Sequence, residues 1–326
     1  MAEANPVRID VFGQHFNRIA GNIETVIQGK RDVIELMLLA LVSEGHVLIE
    51  DVPGVGKTQL AKSLAKSIEG AFNRIQFTPD LLPSDVTGIS VWDRDRLAFD
   101  FKPGPIFANI IVGDEINRAS PKTQSALLEA MEERQVTSDG VTRELQLPFM
   151  VIATQNPLEH EGTYPLPEAQ LDRFMMRVVV GYPSREKALE ILDTHGVRST
   201  FLDLEPVASL EEVQEMVAIA RGVAVSQSVK DYIVDLIEGT RLHPDVMLGA
   251  SPRSALFLQR LARSRAASQG RDYVMPDDIK VLAQPVLEHR LAIRPEAQMR
   301  GETVTDLIED VLGRLRVPGT TSRIAT

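Results

Sequence analysis

The sequence contains no cysteine among its 326 residues. Disulfide bonds and thiolate metal sites are therefore excluded, although a missing cysteine does not identify the redox compartment. A long apolar run is missing as well. The longest, residues 33–42, contains Glu35, whereas a membrane-spanning helix needs about 18 or more apolar residues. The first residues show neither the basic nor the apolar region of a secretory signal, so we expect neither a membrane span nor secretion.

Positive charge is in deficit. The chain has 35 Lys and Arg against 46 Asp and Glu, which gives a formal net charge of −11 at pH 7. Proteins that bind nucleic acids usually present a net positive face, so we expect no nucleic-acid partner. Hydrophobic residues make up 44% of the chain and charged residues 25%, which is ordinary for a soluble globular protein. The length predicts two domains.

The first half of the chain alternates strand-like and helix-like segments, which favours an α/β core with a largely parallel sheet. Strands are predicted at residues 46–50, 74–77, 109–112, 149–154 and 176–180. Two segments, 89–101 and 136–147, place apolar residues alternately around a polar turn, which predicts inserted hairpins; the second contains the strong turn pair Asp139-Gly140. After Pro183 the pattern becomes all-helical. We therefore predict a core of residues 1–183 and a smaller helical domain of residues 184–326.

The first predicted strand leads into a loop with glycines and then into a helix over residues 59–68. The backbone N–H groups of such a loop can surround phosphate oxygens at the start of the helix. Lys57 is suited to neutralise the β- and γ-phosphates and Thr58 to ligate Mg²⁺. The strict motif has glycine at position 51, where this chain has aspartate. The predicted phosphate loop is Asp51-Val52-Pro53-Gly54-Val55-Gly56-Lys57-Thr58.

Polar side chains also follow two further predicted strands. Asp114 and Glu115 end the strand that begins at residue 109, and adjacent side chains at a strand end diverge, so they can do different work. Asp114 suits holding Mg²⁺ through a metal-bound water, and Glu115 suits polarising an attacking water. Asn156 follows the strand over 149–154 and could hydrogen-bond that water or the γ-phosphate, although a strand-terminal asparagine is also a common turn former.

Four strings carry a specific resemblance to the MoxR family of AAA+ ATPases. They are E-D-V-P-G-V-G-K-T, G-D-E-I-N-R-A-S-P-K-T-Q-S-A-L-L-E-A-M-E-E, A-T-Q-N-P and Y-P-L-P-E-A-Q-L-D-R-F. The resemblance covers nearly the whole chain and is tightest over residues 25–183. It implies a five-stranded AAA+ core with hairpin inserts and a helical lid. It also implies assembly as a ring, commonly hexameric, with nucleotide sites between subunits.

Residue roles follow from this resemblance position by position. Lys57 and Thr58 match the Walker A residues, Asp114 and Glu115 the Walker B residues, and Asn156 matches sensor 1. Arg173 matches the arginine finger that reaches a neighbour's ATP, and Arg253 matches sensor 2. Gln28 and Gly29 match positions that contact adenine.

The arginine assignments leave alternatives open. A guanidinium delivered to the transferring phosphoryl group can contribute about 10³–10⁵ in rate, and arginine is the best bidentate phosphate partner. Arg173 could instead form a salt bridge with Asp172 or Glu168. Arg118 and Arg134 are competing candidates for the finger, and Arg253 could be a solvated helix residue.

The expected activity is Mg²⁺-dependent hydrolysis of ATP to ADP and phosphate in the cytoplasm. The resemblance implies that turnover drives chaperone-like remodelling or maturation of a partner complex, often alongside a protein with a von Willebrand factor A domain. The alternatives are a chelatase-type motor subunit, a nucleic-acid-dependent AAA+ motor, and a nucleotide-gated scaffold that barely hydrolyses ATP.

Overall fold

The structure is a computed structural model that describes residues 6–156, 163–195 and 200–318. The α-helices are α1 (Pro6–Glu24), α2 (Arg31–Val42), α3 (Lys57–Ser67), α4 (Pro83–Thr87), α5 (Pro121–Glu133), α6 (Glu168–Leu171), α7 (Arg185–His195), α8 (Leu210–Gly222), α9 (Gln227–Leu242), α10 (Pro252–Ser268), α11 (Pro276–Leu287), α12 (Pro295–Met299) and α13 (Val304–Arg314). Two 3₁₀ helices span Ile116–Arg118 and Thr200–Asp203. None of these described helices is long and apolar enough to cross a membrane.

The strands are β1 (Val47–Glu50), β2 (Phe72–Gln76), β3 (Gly88–Asp93), β4 (Ala98–Pro103), β5 (Ile110–Asp114), β6 (Gln135–Ser138), β7 (Val141–Glu144), β8 (Met150–Gln155), β9 (Met176–Val178), β10 (Val246–Leu248) and β11 (Ala292–Ile293). Five of them form one sheet in the order β2-β5-β8-β1-β9. The neighbours β2 and β5, β5 and β8, and β8 and β1 are parallel. The predicted five-stranded α/β sheet is confirmed.

The centre of this sheet is buried on both faces, as a parallel sheet requires. Every residue of β5 is buried, and so are the first five residues of β8. The buried apolar cluster beside the sheet includes Leu48, Ile111, Val151 and Phe174, each fully inaccessible to solvent. At about 25 cal/mol per Å² of apolar surface removed from water, such side chains supply the main driving force for folding the sheet. The carboxyl ends of the central strands are thereby fixed in position.

Both predicted hairpins are present, as β3–β4 and β6–β7. The turn between β6 and β7 has positive φ at Asp139 and Gly140, which matches the twist of a two-residue hairpin. On β3, the ring of Trp92 lies edge-on to that of Phe99, with 5.2 Å between the ring centroids. Trp92 is 48% exposed and Phe99 is 71% exposed. This aromatic pair therefore lies at the surface.

The chain divides into two compact units. One consists of residues 15–174 and 178–216 and includes β1, β2, β5 and β8. The other consists of the described residues of 1–14, 175–177 and 217–326. The predicted division into domains of residues 1–183 and 184–326 stays a prediction.

The second unit is largely helical, which confirms the predicted helical lid, although it is not entirely helical. Besides α9 to α13 it contains an antiparallel pair of two short strands, β10 and β11. Strands of two or three residues show no periodicity in a sequence.

A buried ion cluster also stabilises this unit: the Asp278 carboxylate lies 2.7 Å from the Arg271 guanidinium and 3.4 Å from that of Arg265.

Candidate functional site

The predicted phosphate loop connects β1 to α3 and has the backbone that phosphate binding requires. Gly54 and Gly56 have φ values of +86° and +92°, and a Cβ at either position would meet no atom within 4 Å. Glycine is therefore needed here for its conformation and not because of crowding. Helix α3 has no side-chain cap and no acidic residue in its first turn. Its first N–H groups and its positive dipole end are therefore available to an anion.

Asp51, which departs from the strict loop motif, connects three parts of the site. It is 7% exposed. Its Oδ1 accepts a 2.8 Å hydrogen bond from the backbone N–H of Val52, and its Oδ2 accepts one of 2.6 Å from the N–H of Gly181. Its carbonyl oxygen accepts from Lys57 Nζ at 2.7 Å. Asp51 thus fixes the start of the loop to the segment that follows β9.

Lys57 is the first residue of α3, and its surroundings place it near the predicted catalytic acids. Burial lowers the pKa of the Lys57 ammonium. The negative charges of Asp51, Asp114 and Glu115 act in the opposite direction and raise it. The phosphate loop and the end of β5 therefore lie close enough for their charges to interact.

Asp114, the last residue of β5, is 8% exposed and has hydrogen-bond partners on both carboxylate oxygens. Its Oδ1 accepts from the hydroxyl of Thr154 at 3.1 Å, and its Oδ2 lies 2.6 Å from Arg74 Nε. A buried carboxylate is tolerated only with such partners. Neither contact was predicted: Arg74 stands in none of the four quoted strings, and Thr154 stands in A-T-Q-N-P but was given no role there.

Glu115 has a left-handed backbone, with φ of +58° and ψ of +50°. A non-glycine residue in this region costs on the order of 1 kcal/mol, and such strain is frequent at functional sites. Its N–H donates to the Thr154 hydroxyl at 3.0 Å. Its Oε2 accepts from Gln76 Nε2 at 2.9 Å and lies 3.2 Å from Arg118 Nε. Gln76 is a further site residue that sequence reasoning missed.

The remaining predicted nucleotide contacts lie around this edge of the sheet. Glu50 pairs with Gln155, so Asn156 follows β8 beside the start of the phosphate loop. Lys30 Nζ donates to the Tyr182 carbonyl oxygen at 2.9 Å, and Gly181 is bonded to Asp51. The turn that contains Gln28 and Gly29 is therefore linked to the phosphate loop.

Gln28 and Gly29 each have a distinctive environment in that turn. The side-chain oxygen of Gln28 is buried without a hydrogen-bond partner among the described residues, which fits a group awaiting a donor such as the amino group of adenine. Gly29 has φ of +70°, and a Cβ there would lie 2.7 Å from Lys187 Cγ. This position therefore requires glycine on both counts.

The three candidate finger arginines differ in their contacts. Arg173 Nε lies 2.7 Å from Glu132 Oε2. Arg134 Nη1 lies 2.7 Å from Glu44 Oε1, and Arg118 contacts Glu115 of its own chain. Arg253 lies in the first turn of α10, in the second unit, and is partly buried.

These residues fit a nucleoside triphosphate with Mg²⁺. The open space over Gly54 and Gly56 leaves room for phosphates against the backbone, and Lys57 supplies the cation. Hard oxygen donors, the Thr58 hydroxyl and the Asp114 carboxylate, are what Mg²⁺ prefers, and Mg²⁺ usually keeps several waters and substrate phosphates as its other ligands.

Comparison with known proteins identifies the same two regions. Residues 46–176 match the model of the ATPase family associated with various cellular activities (AAA), and residues 238–311 match an AAA lid domain. A Bacillus subtilis protein, YeaC, is 50% identical over 91% of this chain and 93% of its own length. Chaperone MoxR1 of Mycobacterium tuberculosis is 42% identical over 91% of this chain and 80% of its own. Protein MoxR of Methylorubrum extorquens is 32% identical over 92% and 94%.

A solved structure is similar over almost the whole chain. The crystal structure of an ATPase candidate from Cytophaga hutchinsonii superimposes with a TM-score of 0.90 and 38% identity. The match covers 95% of this chain and 97% of that one.

Proposed function

This chain belongs to the MoxR family of AAA+ ATPases, and from that premise we propose that it works as a ring in which Mg²⁺-dependent ATP hydrolysis remodels a partner protein in the cytoplasm. The observation that carries the proposal is the convergence of the phosphate loop with Asp114 and Glu115 at one edge of the sheet. ATP hydrolysis is the activity of the family. The metal requirement, the ring and the client are our proposals.

At the phosphates, each residue of the loop has a distinct role. The backbone N–H groups of residues 54–58 bind the phosphate oxygens, with Gly54 and Gly56 providing the backbone conformation. Lys57 neutralises the β- and γ-phosphates, and Thr58 and Asp114 hold the metal. Mg²⁺, when bound, offsets the negative charge that develops on the phosphate oxygens.

At the γ-phosphate, Glu115 orients the attacking water and accepts its proton, and Asn156 hydrogen-bonds the water or the γ-oxygens. The left-handed backbone of Glu115 and its bonds to Gln76 and Arg118 restrict its carboxylate to a few positions. A water held close to a fixed base reacts faster because little orientational entropy remains to be lost.

The remaining arginines make hydrolysis depend on assembly. In our proposal Arg173 reaches the ATP of a neighbouring subunit after leaving Glu132, and Arg253 contacts the γ-phosphate from the lid. We propose a hexamer, on the resemblance to AAA+ rings. The name of the relative Chaperone MoxR1 supports chaperone-like work on a protein client, and the family resemblance suggests a partner with a von Willebrand factor A domain.

The test is a trap variant, Glu115→Gln, which keeps the hydrogen-bonding geometry but cannot accept a proton. It should bind ATP, hydrolyse it more than about 100-fold more slowly, as loss of a general base predicts, and retain the client on a tagged ring in the presence of ATP. Lys57→Ala is the matched control, since it should bind ATP much more weakly and so retain little client. Near-normal turnover of a folded Glu115→Gln protein would contradict the assignment of the base.

The rival functions have their own readouts. Stimulation of the ATPase rate by a metalloporphyrin precursor would favour the chelatase-type subunit, and stimulation by DNA or RNA would favour the nucleic-acid motor. A wild-type rate as low as that of Glu115→Gln would favour the nucleotide-gated scaffold.

A further inference from the structure

A chain of hydrogen bonds joins the two acidic residues of the site through residues on β2. Arg74 Nε lies 2.6 Å from Asp114 Oδ2, and Arg74 Nη2 lies 2.8 Å from Gln76 Oε1. Gln76 Nε2 lies 2.9 Å from Glu115 Oε2. Strand β2 is the edge strand of the sheet and pairs with β5 so that Gln76 is opposite Asp114. Arg74 and Gln76 are two residues apart and therefore project from the same face.

The direction of every bond in this chain is fixed by chemistry. A guanidinium only donates and an ionised carboxylate only accepts. The amide oxygen of Gln76 must therefore face Arg74, and its NH₂ group must face Glu115. If the amide were reversed, it would present a donor to Arg74 and an acceptor to Glu115, and both contacts would be lost.

Asp114 and Glu115, the two ends of this series of hydrogen bonds, have further hydrogen bonds outside it. The other oxygen of Asp114 accepts from the Thr154 hydroxyl, which in turn accepts from the N–H of Glu115. Both carboxylate oxygens of Asp114 are thus hydrogen-bonded, and each oxygen retains a second lone pair for a metal-bound water. The backbone N–H of Glu115 is bonded to Thr154, and its carboxylate is bonded to Gln76.

We propose that Arg74 is a positioning residue that holds the metal-binding carboxylate of Asp114 directly and the general base Glu115 through Gln76. This inference rests on the roles proposed above for Asp114 and Glu115. Its basis is the planar guanidinium, which directs two nitrogens to different partners at once. A lysine at this position keeps the charge, but its donors all lie on one freely rotating nitrogen and do not hold the two partners in fixed directions.

Arg74 also places a positive charge against the carboxylate that attracts Mg²⁺. Removing that charge leaves Asp114 more attractive to a cation while its orientation becomes less defined. Metal binding and turnover should therefore change in opposite directions. A residue that merely supported the fold would weaken both.

The experiment compares Arg74→Ala, Arg74→Lys, Gln76→Ala and the double variant Arg74→Ala/Gln76→Ala. The readouts are kcat, KM, the Kd of a fluorescent ATP analogue without metal, and the Mg²⁺ concentration that half-saturates its metal-dependent binding. Arg300→Ala is the matched control. Arg300 is suitable because its side chain is 53% exposed and forms a 2.7 Å ion pair with Asp245. The Arg74 side chain is similarly exposed, at 49%, and forms a 2.6 Å ion pair with Asp114.

Arg74→Ala should lower kcat at least about tenfold and lower the half-saturating Mg²⁺ concentration at least about threefold, because the loss of one charge beside a divalent ion strengthens its binding. The Kd without metal should stay within about twofold, a change smaller than about 0.5 kcal/mol. Arg74→Lys should restore the Mg²⁺ dependence but not kcat. Gln76→Ala should lower kcat alone, and the double variant should be no slower than Arg74→Ala, since both remove one connected unit.

Wild-type kcat and Mg²⁺ dependence in Arg74→Ala would overturn the proposal. So would a loss of metal-free nucleotide affinity that parallels a loss of helical circular dichroism, because the residue would then be structural. Glu115→Gln, assayed beside these variants, distinguishes a failure of the proposed catalytic roles from a failure of the inference about Arg74. If it turns over normally, the proposed catalytic roles fail, whereas if it is inactive and Arg74→Ala is normal, only this inference fails.

Discussion

Lowering the pH should destabilise this protein through one buried histidine, His46, which precedes β1. His46 is 7% exposed. Its Nδ1 accepts from the backbone N–H of Val151 at 3.0 Å, so the ring proton is on Nε2, which donates to the Met131 carbonyl oxygen at 3.0 Å. A second proton would be placed on Nδ1, against an N–H group. The pKa of His46 is lowered to about 4, mainly because burial disfavours the charged ring, with a smaller effect of the Arg134 charge.

The sign and size of the effect follow from proton linkage. In the unfolded chain the pKa of His46 returns to 6.5, so between pH 6.5 and about 4 the unfolded state binds a proton that the folded state does not. The contribution of His46 to stability is therefore complete above pH 6.5 and declines as the pH falls. Between pH 7 and pH 5 the free energy of unfolding should fall by about 2 kcal/mol from this group alone.

The measurement is urea unfolding at pH 7 and at pH 5, followed by circular dichroism, for wild type and for His46→Gln. The variant should be less stable at pH 7, but its stability should fall by about 2 kcal/mol less than that of wild type when the pH is lowered. Ile152→Val, a non-titrating change in a buried residue of β8, is the control and should show the wild-type pH dependence. Equal pH dependence in wild type and His46→Gln would refute this reasoning.

Three further predictions concern the proposed site. Lys57→Ala should weaken ATP binding more than about tenfold, because the phosphates lose their cation, with an unchanged circular dichroism spectrum; wild-type affinity in a nucleotide titration would exclude the assignment. The ATPase rate should not respond to DNA or RNA at physiological salt, given the net charge of −11, and a several-fold increase would favour the motor instead. Arg173→Ala should bind ATP but turn over slowly, and mixing it in equal amounts with Lys57→Ala should restore activity. About a quarter of the interfaces in a mixed ring would pair an intact phosphate loop with an intact finger. If subunit exchange is demonstrated with tagged protein and the mixture stays inactive, Arg118 and Arg134 are the next arginines to test.

Much of the fold could be predicted because its elements have strong local signals. The central strands are continuous apolar runs, and Asp139-Gly140 marks its hairpin turn in the sequence. The first hairpin shows the limit of such signals. Leu97 continues the apolar alternation of the segment in the sequence, yet it has φ of +49° and lies in the turn. The Asp93 carboxylate accepts the N–H groups of Asp95 and Arg96 and so extends the turn.

Helix α1 was not predicted, although a signal for it exists. Its large buried side chains are spaced three or four apart, as on one face of a helix; they are Ile9, Phe12, Phe16, Ile19 and Ile23.

The site could be predicted only where it coincides with a motif. Lys57, Thr58, Asp114 and Glu115 stand in recognisable strings, and the structure brings their loops together. Arg74 and Gln76 stand in no such string, and Thr154 stands in A-T-Q-N-P without an assigned role. All three reach Asp114 and Glu115 only through the pairing of β2 and β8 with β5. Strand order is a property of the tertiary fold. The partner of Arg173 was missed for the same reason, because Glu132 is 41 residues away along the chain.

The aromatic pair on the β3–β4 hairpin makes this protein spectroscopically simple. Trp92 is the single tryptophan of the chain, and indole emission depends on how much water surrounds the ring. A shift of emission on adding a nucleotide or a partner therefore reports on that hairpin alone, without any label. Because the chain has no cysteine, one cysteine introduced elsewhere would take a single acceptor dye. Energy transfer from Trp92 to that dye would then measure one defined distance during turnover.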